Sequence, residues 1–364
     1  MGLSYTEAGF IFSASFIALV TLRIPWGIAI DRLGLKTVNV FAFVLMGVFG
    51  FLRGFAPNYG TFLLFQFFMG AGLAATMPCL PKVAAEWFPP EKAGFAVGVS
   101  ISGFALGDVI ALNAAPYLLT LLNGWRGALL AYGVWAMILA AIWWIFAREP
   151  AQNKIHQSSK PPSASSTMKN LAMLLRVRQV WLLVGLYFSS CACYDAILLW
   201  LPSILEAEGA TLVMAGVITS MLPLGFFVAS FGVGSLSAKI GLRKPFILLL
   251  GLASGPVIGA IGVLHGPGLW ISAFLAGFCT IGVLAVLLAM PVEHPLMANS
   301  LGSAVGLITS VGNVGSLLMG TLVGQIRDVT GSFLWAMLVL AILGESMLII
   351  GLPLSETGRK KKTH

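Results

Sequence analysis

Apolar stretches of about 20 residues follow one another along this chain, separated by short polar, glycine- or proline-bearing breaks. An α-helix rises 1.5 Å per residue, so about 20 residues cross the ~30 Å hydrocarbon layer of a membrane. Helices are the expected spanning element, because each satisfies its own backbone hydrogen bonds where no water is available. The pattern predicts eleven of them, at about 8–29, 38–55, 60–80, 95–119, 126–146, 180–203, 212–237, 245–264, 268–291, 300–325 and 332–352. The expected class is therefore an all-α, polytopic membrane protein.

Composition agrees. Of the 364 residues, 58% are hydrophobic and 9% charged, against roughly 25% charged in soluble domains. The net charge of +8 would suit a nucleic-acid partner, but its distribution points elsewhere. Counting loops alternately, one side takes 17 of the 21 Lys and Arg: Arg32, Lys36, Lys82, Lys92, Arg148, Lys154, Lys160, Lys169, Arg176, Arg178, Lys239, Arg243, Lys244 and Arg359 to Lys362. The other side takes Arg53, Arg126 and Arg327, and Arg23 lies inside a helix. That asymmetry marks the first side as cytoplasmic. Met1 is then expected outside and the C-terminus inside, with no basic segment ahead of the first apolar run to suggest a cleavable signal. Cys79, Cys191, Cys193 and Cys279 all fall in apolar helices and are expected as free thiols, with no metal site.

One long hydrophilic connection, 148–178, carries Pro161-Pro162-Ser163 at its centre and reads as a cytoplasmic linker. It separates an N-terminal bundle, 1–147, from a C-terminal bundle, 179–353, with a basic cytoplasmic tail at 354–364. The two bundles look duplicated. Gly27, Gly34 and Lys36 align with Gly234, Gly241 and Arg243 at an offset of 207, which also places Gly70 on Gly277 and Glu86 on Glu293. The same offset puts the first-half partner of the helix at 180–203 before residue 1, so a six-plus-six design lacking its first helix is expected.

Gly27-x3-Asp31-Arg32-x-Gly34-x-Lys36, its second copy Gly234-x3-Ala238-Lys239-x-Gly241-x-Arg243, the Trp125-Arg126 helix start and the central linker together resemble the major facilitator superfamily over essentially the whole chain. The resemblance implies two pseudo-symmetric helical bundles, with the eleven helices in family positions 2 to 12. It implies a secondary transporter of the prokaryotic inner membrane, working by alternating access on a small solute. Protons are a possible coupling ion, no cofactor is needed, and a monomer is expected. It also implies that Gly27, Asp31, Arg32, Gly34 and Lys36 form a latch that stabilises one access state. The second copy, Gly234, Lys239, Gly241 and Arg243, lacks the aspartate, so the latch is expected to be asymmetric.

Charges inside the bilayer cost at least ~2.5 kcal/mol each at helix centre and mark functional positions. Arg23 lies eight residues, roughly 12 Å, inside the cytoplasmic edge set by Asp31. A buried guanidinium suits a carboxylate or oxyanion, which it grips with two parallel hydrogen bonds. Pairing of Arg23 with Asp108, or snorkelling to the surface, stand as alternatives. Asp108 and Asp195, at similar depth, are candidate proton carriers because low dielectric penalises the charged carboxylate. Arg23-Ile24-Pro25-x-Gly27 is similar to a segment of the nitrate/nitrite porter branch, but the second arginine of that branch falls on Ser230. The expectation is accordingly a small organic or inorganic anion. The drug-antiporter pattern fails at Gln66 and Asp108, which leaves cation efflux, or a non-transporting or truncated receptor-like protein, as the alternatives. No His-Glu-x-x-His, Gly-x-Ser-x-Gly or phosphate-loop motif is present, so no enzyme is expected. The stripes Gly94-x3-Gly98, Gly103-x3-Gly107, Gly302-x3-Gly306 and Gly320-x3-Gly324 predict close helix contact.

Overall fold

The computed structural model describes residues 2–88, 90–147, 173–298 and 301–358; of Asp31, Pro81, residues 84–86 and residues 90–97 only the backbone is described. Among the described residues 11 helices are long and apolar enough to cross a membrane. They are α1 (Tyr5–Ile30), α2 (Leu35–Phe55), α3 (Tyr59–Leu80), α4 (Gly98–Leu121), α5 (Trp125–Phe146), α6 (Arg178–Ala207), α7 (Leu212–Ile240), α8 (Lys244–Ile261), α9 (Pro267–Glu293), α10 (Leu301–Thr330) and α11 (Phe333–Gly351). The protein is all-helical and polytopic. Every helix expected from the apolar pattern is present, with ends displaced by a few residues. The expected linker centre, at 148–172, and the tail beyond Gly358 lie outside the described residues.

Proline explains three interruptions. A proline has no N–H and its ring clashes with the carbonyl four residues earlier. Helical structure accordingly lapses at Ala74–Ala75 ahead of Pro78, at Ser220 ahead of Pro223, and at Leu288–Ala289 ahead of Pro291. Pro202 sits in a helix that runs unbroken from Arg178 to Ala207. A fourth break, at Asn313 in α10, has no proline.

By its contacts the chain forms two compact units. The first comprises Met1–Gly2, Phe10–Ser100 and Ala115–Thr167; the second comprises Leu3–Gly9, Ile101–Ala114 and Met168–His364. In lipid there is little hydrophobic drive between helices, so packing rests on close backbone approach. In the first unit a Cβ on Gly70 would come within 2.7 Å of the Ser15 carbonyl oxygen, so α3 crosses α1 without room for a side chain. In the second unit a Cβ on Gly277 would run into the carbonyl oxygen of Leu222, where α9 crosses α7. Ser15 and Leu222 stand at the same offset of 207 as the two glycines. The duplication read from isolated residues is thus a duplicated helix crossing.

The glycine stripes behave differently from expectation. A Cβ on Gly98, Gly103, Gly107, Gly302 or Gly306 would meet nothing within 4 Å among the described atoms, whereas one on Gly324 would collide with the Tyr5 carbonyl. Spacing alone does not say which face of a helix turns to a neighbour. Among the described glycines of those stripes, Gly324 lies in a packing seam.

Gly277→Val is expected to destabilise the second unit by about 1–3 kcal/mol or more, since overpacking against a backbone carbonyl cannot be relieved by a rotamer change. Gly306→Val, facing open space, is expected to cost far less. Thermal unfolding of the two variants in one detergent checks this.

Candidate functional site

The first unit carries the predicted Arg23 and the first copy of the repeated motif. α1 is helical from Tyr5 to Leu33, with Pro25 inside it. Arg23 is buried, with 8% of its surface exposed. One turn further, Gly27 has nothing within 4 Å of where its Cβ would be among the described residues, so it makes no close helix approach to any of them. That approach is supplied instead by Trp26, whose indole N–H donates to the Ala71 carbonyl at 2.7 Å. Gly34 does what the turn requires. Its φ of 84° lies in the left-handed region that glycine adopts without steric penalty, and it separates α1 from α2. Beyond it, the Lys36 ammonium lies 5.6 Å from the Trp144 ring, a cation–π contact. Lys82 donates to the Ile30 carbonyl at 3.0 Å. Arg32 is exposed, and the side chain of Asp31 lies outside those described.

A polar chain that the sequence did not announce runs through the same unit. Arg53, at the end of α2, donates to the Gln66 side-chain oxygen, and Gln66 donates to the Ser15 hydroxyl at 2.7 Å. Gln66 is buried. The guanidinium fixes which way the amide points, because it can only donate. Arg53 counts as an outer-loop charge in the positive-inside tally, yet it turns inward to a helix side chain.

The second unit contains Asp108, Asp195 and the second motif copy. Tyr194, on α6, donates its hydroxyl to Asp108 at 3.3 Å, and its ring meets Phe226 edge-on. Asp195 follows in the chain and therefore leaves α6 about 100° away from Tyr194, half-buried. The structure brings Asp108 together with Tyr194, a residue that sequence reasoning passed over because tyrosine is unremarkable on an apolar helix.

At the end of this unit that carries the second motif copy, Gly241 takes a φ of 73° and turns the chain from α7 into α8. Arg243 then forms a forked ion pair with Glu293, Nη2 to Oε1 at 2.7 Å and Nε to Oε1 at 3.1 Å, and donates from Nη1 to Ser237 at 3.0 Å. Thr357 donates to the other Glu293 oxygen at 2.9 Å. Glu356 accepts from the backbone N–H of Arg243 at 2.8 Å and of Lys244 at 3.0 Å, capping α8 where helix N–H groups lack partners. A Cβ on Gly234 would lie 3.8 Å from the Ala285 methyl and meet nothing nearer among the described residues, and Lys239 is exposed. Arg243 and Glu293 align by the offset of 207 with Lys36 and Glu86; the Glu86 side chain lies outside those described. Glu345 packs its carboxyl against Gly255 between α11 and α8.

The comparisons with known proteins bear on the family and the fold. A "Probable 4-methylmuconolactone transporter" of Cupriavidus pinatubonensis is 29% identical over 95% of this chain and 82% of its own length. A hexuronate transporter of Bacillus subtilis is 24% identical over 93% of this chain and 83% of its own. A solved bacterial homologue of the human lysosomal transporter Spinster, described as inward-facing and unoccupied, superposes with a TM-score of 0.70 at 16% identity. It covers 96% of this chain and 88% of that one. Residues 1–320 match the sequence model of the Major Facilitator Superfamily. The chain is a member of the major facilitator superfamily, and so a membrane transporter and not an enzyme.

Proposed function

We propose that this transporter carries a small organic carboxylate across the membrane by alternating access, with Arg23 as the group that grips the carboxylate. The observation that carries the proposal is the burial of Arg23 within α1, in a chain related to a hexuronate transporter. A hexuronate is a carboxylate, and guanidinium–carboxylate recognition is the strongest directional pairing that a buried cation offers. The muconolactone and hexuronate names favour organic acids over nitrate, so the likeness of residues 23–27 to the nitrate/nitrite branch does not extend to the cargo.

The other roles belong to the same proposal. Asp108, held by Tyr194, and Asp195 are the groups to which proton coupling is assigned, with exchange of two anions as the other mode of coupling. Asp31, Arg32 and Lys36, turned by Gly34, are the latch at the inner edge; Arg243, with its forked pair to Glu293, is its counterpart in the second half. The charge distribution supports a cytoplasmic placement of 148–178 and of the tail, with Met1 outside. The bundles 1–147 and 179–353 are the halves that move, and the chain acts as a monomer in a prokaryotic inner membrane.

Arg23→Gln is expected to raise the half-saturating concentration of a transported carboxylate by at least about 30-fold, equivalent to ~2 kcal/mol. Arg23→Lys keeps the charge without the planar fork and is expected to fall between the two. Uptake of sugar acids and aromatic acids into proteoliposomes measures this. The double variant Arg23→Gln/Asp108→Asn separates an anion site from a structural charge pair: normal uptake by it would overturn the anion site.

Asp31→Asn is expected to slow turnover severalfold with little change in substrate affinity, because the latch acts on the equilibrium between access states and not on the bound solute. Binding and transport measured on one preparation check it; an unchanged rate in a well-folded variant contradicts the latch.

A further inference from the structure

The first unit encloses a cation that has only neutral partners among the described residues. Arg53, near the end of α2, turns inward, and its Nη1 donates to the Gln66 side-chain oxygen on α3 at 2.5 Å. Gln66 in turn donates to the Ser15 hydroxyl on α1, and both of these residues are buried. The Nε atom of Arg53 is fully buried and has no hydrogen-bond partner among the described residues, and Nη2, on the same edge of the guanidinium, has none there either. No carboxylate comes from the helices packed around it. Residues 8–30, 37–85 and 109–148 contain no Asp or Glu, and Asp108 groups with the second unit, where it accepts from Tyr194.

Arg243 in the second unit shows how this edge behaves beside an anion. It uses Nη1 on the neutral Ser237 hydroxyl and turns Nε and Nη2 on the Glu293 carboxylate. In Arg53 a neutral oxygen holds the same Nη1 corner, which fixes the direction of the Nε–Nη2 edge. A guanidinium cannot shed its proton to become neutral. A charge taken out of water is strongly destabilising unless a counter-charge accompanies it.

The surroundings limit the size of that counter-charge. Nη2 lies 4.0 Å from where a Cβ on Gly50 would stand, and the same position is 3.5 Å from the Gly133 Cα, so the edge abuts the crossing of α2 on α5. Gly70, one turn beyond Gln66, presses on Ser15, and Gly72 presses on the Ala42 carbonyl of α2. Helices in backbone contact leave room beside the guanidinium for a single small ion and not for an organic acid.

We propose that Arg53, steadied by Gln66 and Ser15, binds a small inorganic anion of the chloride class, a fixed counter-ion of the first unit separate from the transported solute. The ion binds the folded bundle and not the unfolded chain, so it stabilises the fold in proportion to its occupancy. The site depends neither on Arg23 nor on the direction of transport.

The test is the unfolding temperature of the full chain purified in an uncharged detergent, with sodium chloride titrated against sodium methanesulfonate at constant ionic strength. Chloride is expected to raise it by about 4 °C at saturation. Arg53→Gln is expected to remove that shift. Gln66→Glu sets a carboxylate of the chain itself against the same guanidinium. It is expected to unfold near the chloride-saturated temperature of the parent in either salt, which a purely structural hydrogen bond does not predict. Arg23→Gln is expected to keep the full shift, so this site and the carboxylate site fail separately. Equal unfolding of the parent in the two salts overturns the proposal, as does a chloride shift that persists in folded Arg53→Gln or Gln66→Glu. A shift lost in Arg23→Gln but kept in Arg53→Gln moves the anion to Arg23 and overturns it as well. If Arg53→Gln is not recovered folded, Gln66→Glu decides.

Discussion

The crossing of α1 on α3, repeated as α7 on α9, is the contact on which both units are built. Between helices in lipid, apolar surface is not driven together, because hydrocarbon surrounds the separated helices as well. What remains is dispersion, which requires backbones to touch. Gly70 against Ser15 and Gly277 against Leu222 meet that requirement by removing the side chain at the point of contact. The polar groups then ride on fixed helices. Gln66 lies one turn before Gly70 and reaches Ser15, the residue at the crossing itself. Arg23 follows two turns below Ser15 on the same helix. The position of the buried cation in the first unit is therefore set by the crossing, and so is its distance from the turn at Gly34.

The two copies of the loop motif show how a duplicated frame acquires unequal roles. Both use a glycine with positive φ, Gly34 and Gly241, to turn the chain at the same place. After the turn the contacts of the described side chains differ, the side chain of Glu86, which aligns with Glu293, lying outside them. Lys36 meets the Trp144 ring, whereas Arg243 grips Glu293 through a fork while Ser237, Thr357 and Glu356 tie the same corner together. An ammonium has no planar face to present to a carboxylate, so exchanging Lys for Arg changes the kind of bond as well as its strength. This corner of the second unit is a closed network that includes the start of the C-terminal tail, a segment that composition marks only as basic.

How much was legible in the sequence follows from the solvent. In a bilayer, apolar length is the dominant signal, so the eleven helices could be read and only their ends moved. The duplication was legible through glycines, because a residue that must be absent of side chain recurs wherever the crossing recurs. Partnerships between helices were not. They depend on the rotation of each helix about its axis, which neighbouring residues sample at 100° intervals. Tyr194 faces Asp108 while Asp195, adjacent in sequence, does not share that bond; Arg53 turns inward to Gln66 although charge counting places it in a loop. Asp328 likewise counts as one acidic residue at a helix end until its bonds to Tyr5 and Thr6 are seen. Sequence spacing gave four glycine stripes but no rotation for any of them, which is why Gly103 and Gly107 meet nothing within 4 Å among the described residues while Gly324 is packed.

In the proposed mechanism a buried guanidinium on α1 sets the sign of the transported solute. It is tested most directly by thermal stabilisation of the purified protein with matched ligands, a carboxylic acid against its neutral amide and against an amine of the same carbon skeleton. The account predicts that the carboxylate alone raises the melting temperature, by an amount that grows with its concentration, and that Arg23→Gln abolishes the shift. Equal stabilisation by the amide or the amine, or a carboxylate shift that survives in folded Arg23→Gln, would contradict it.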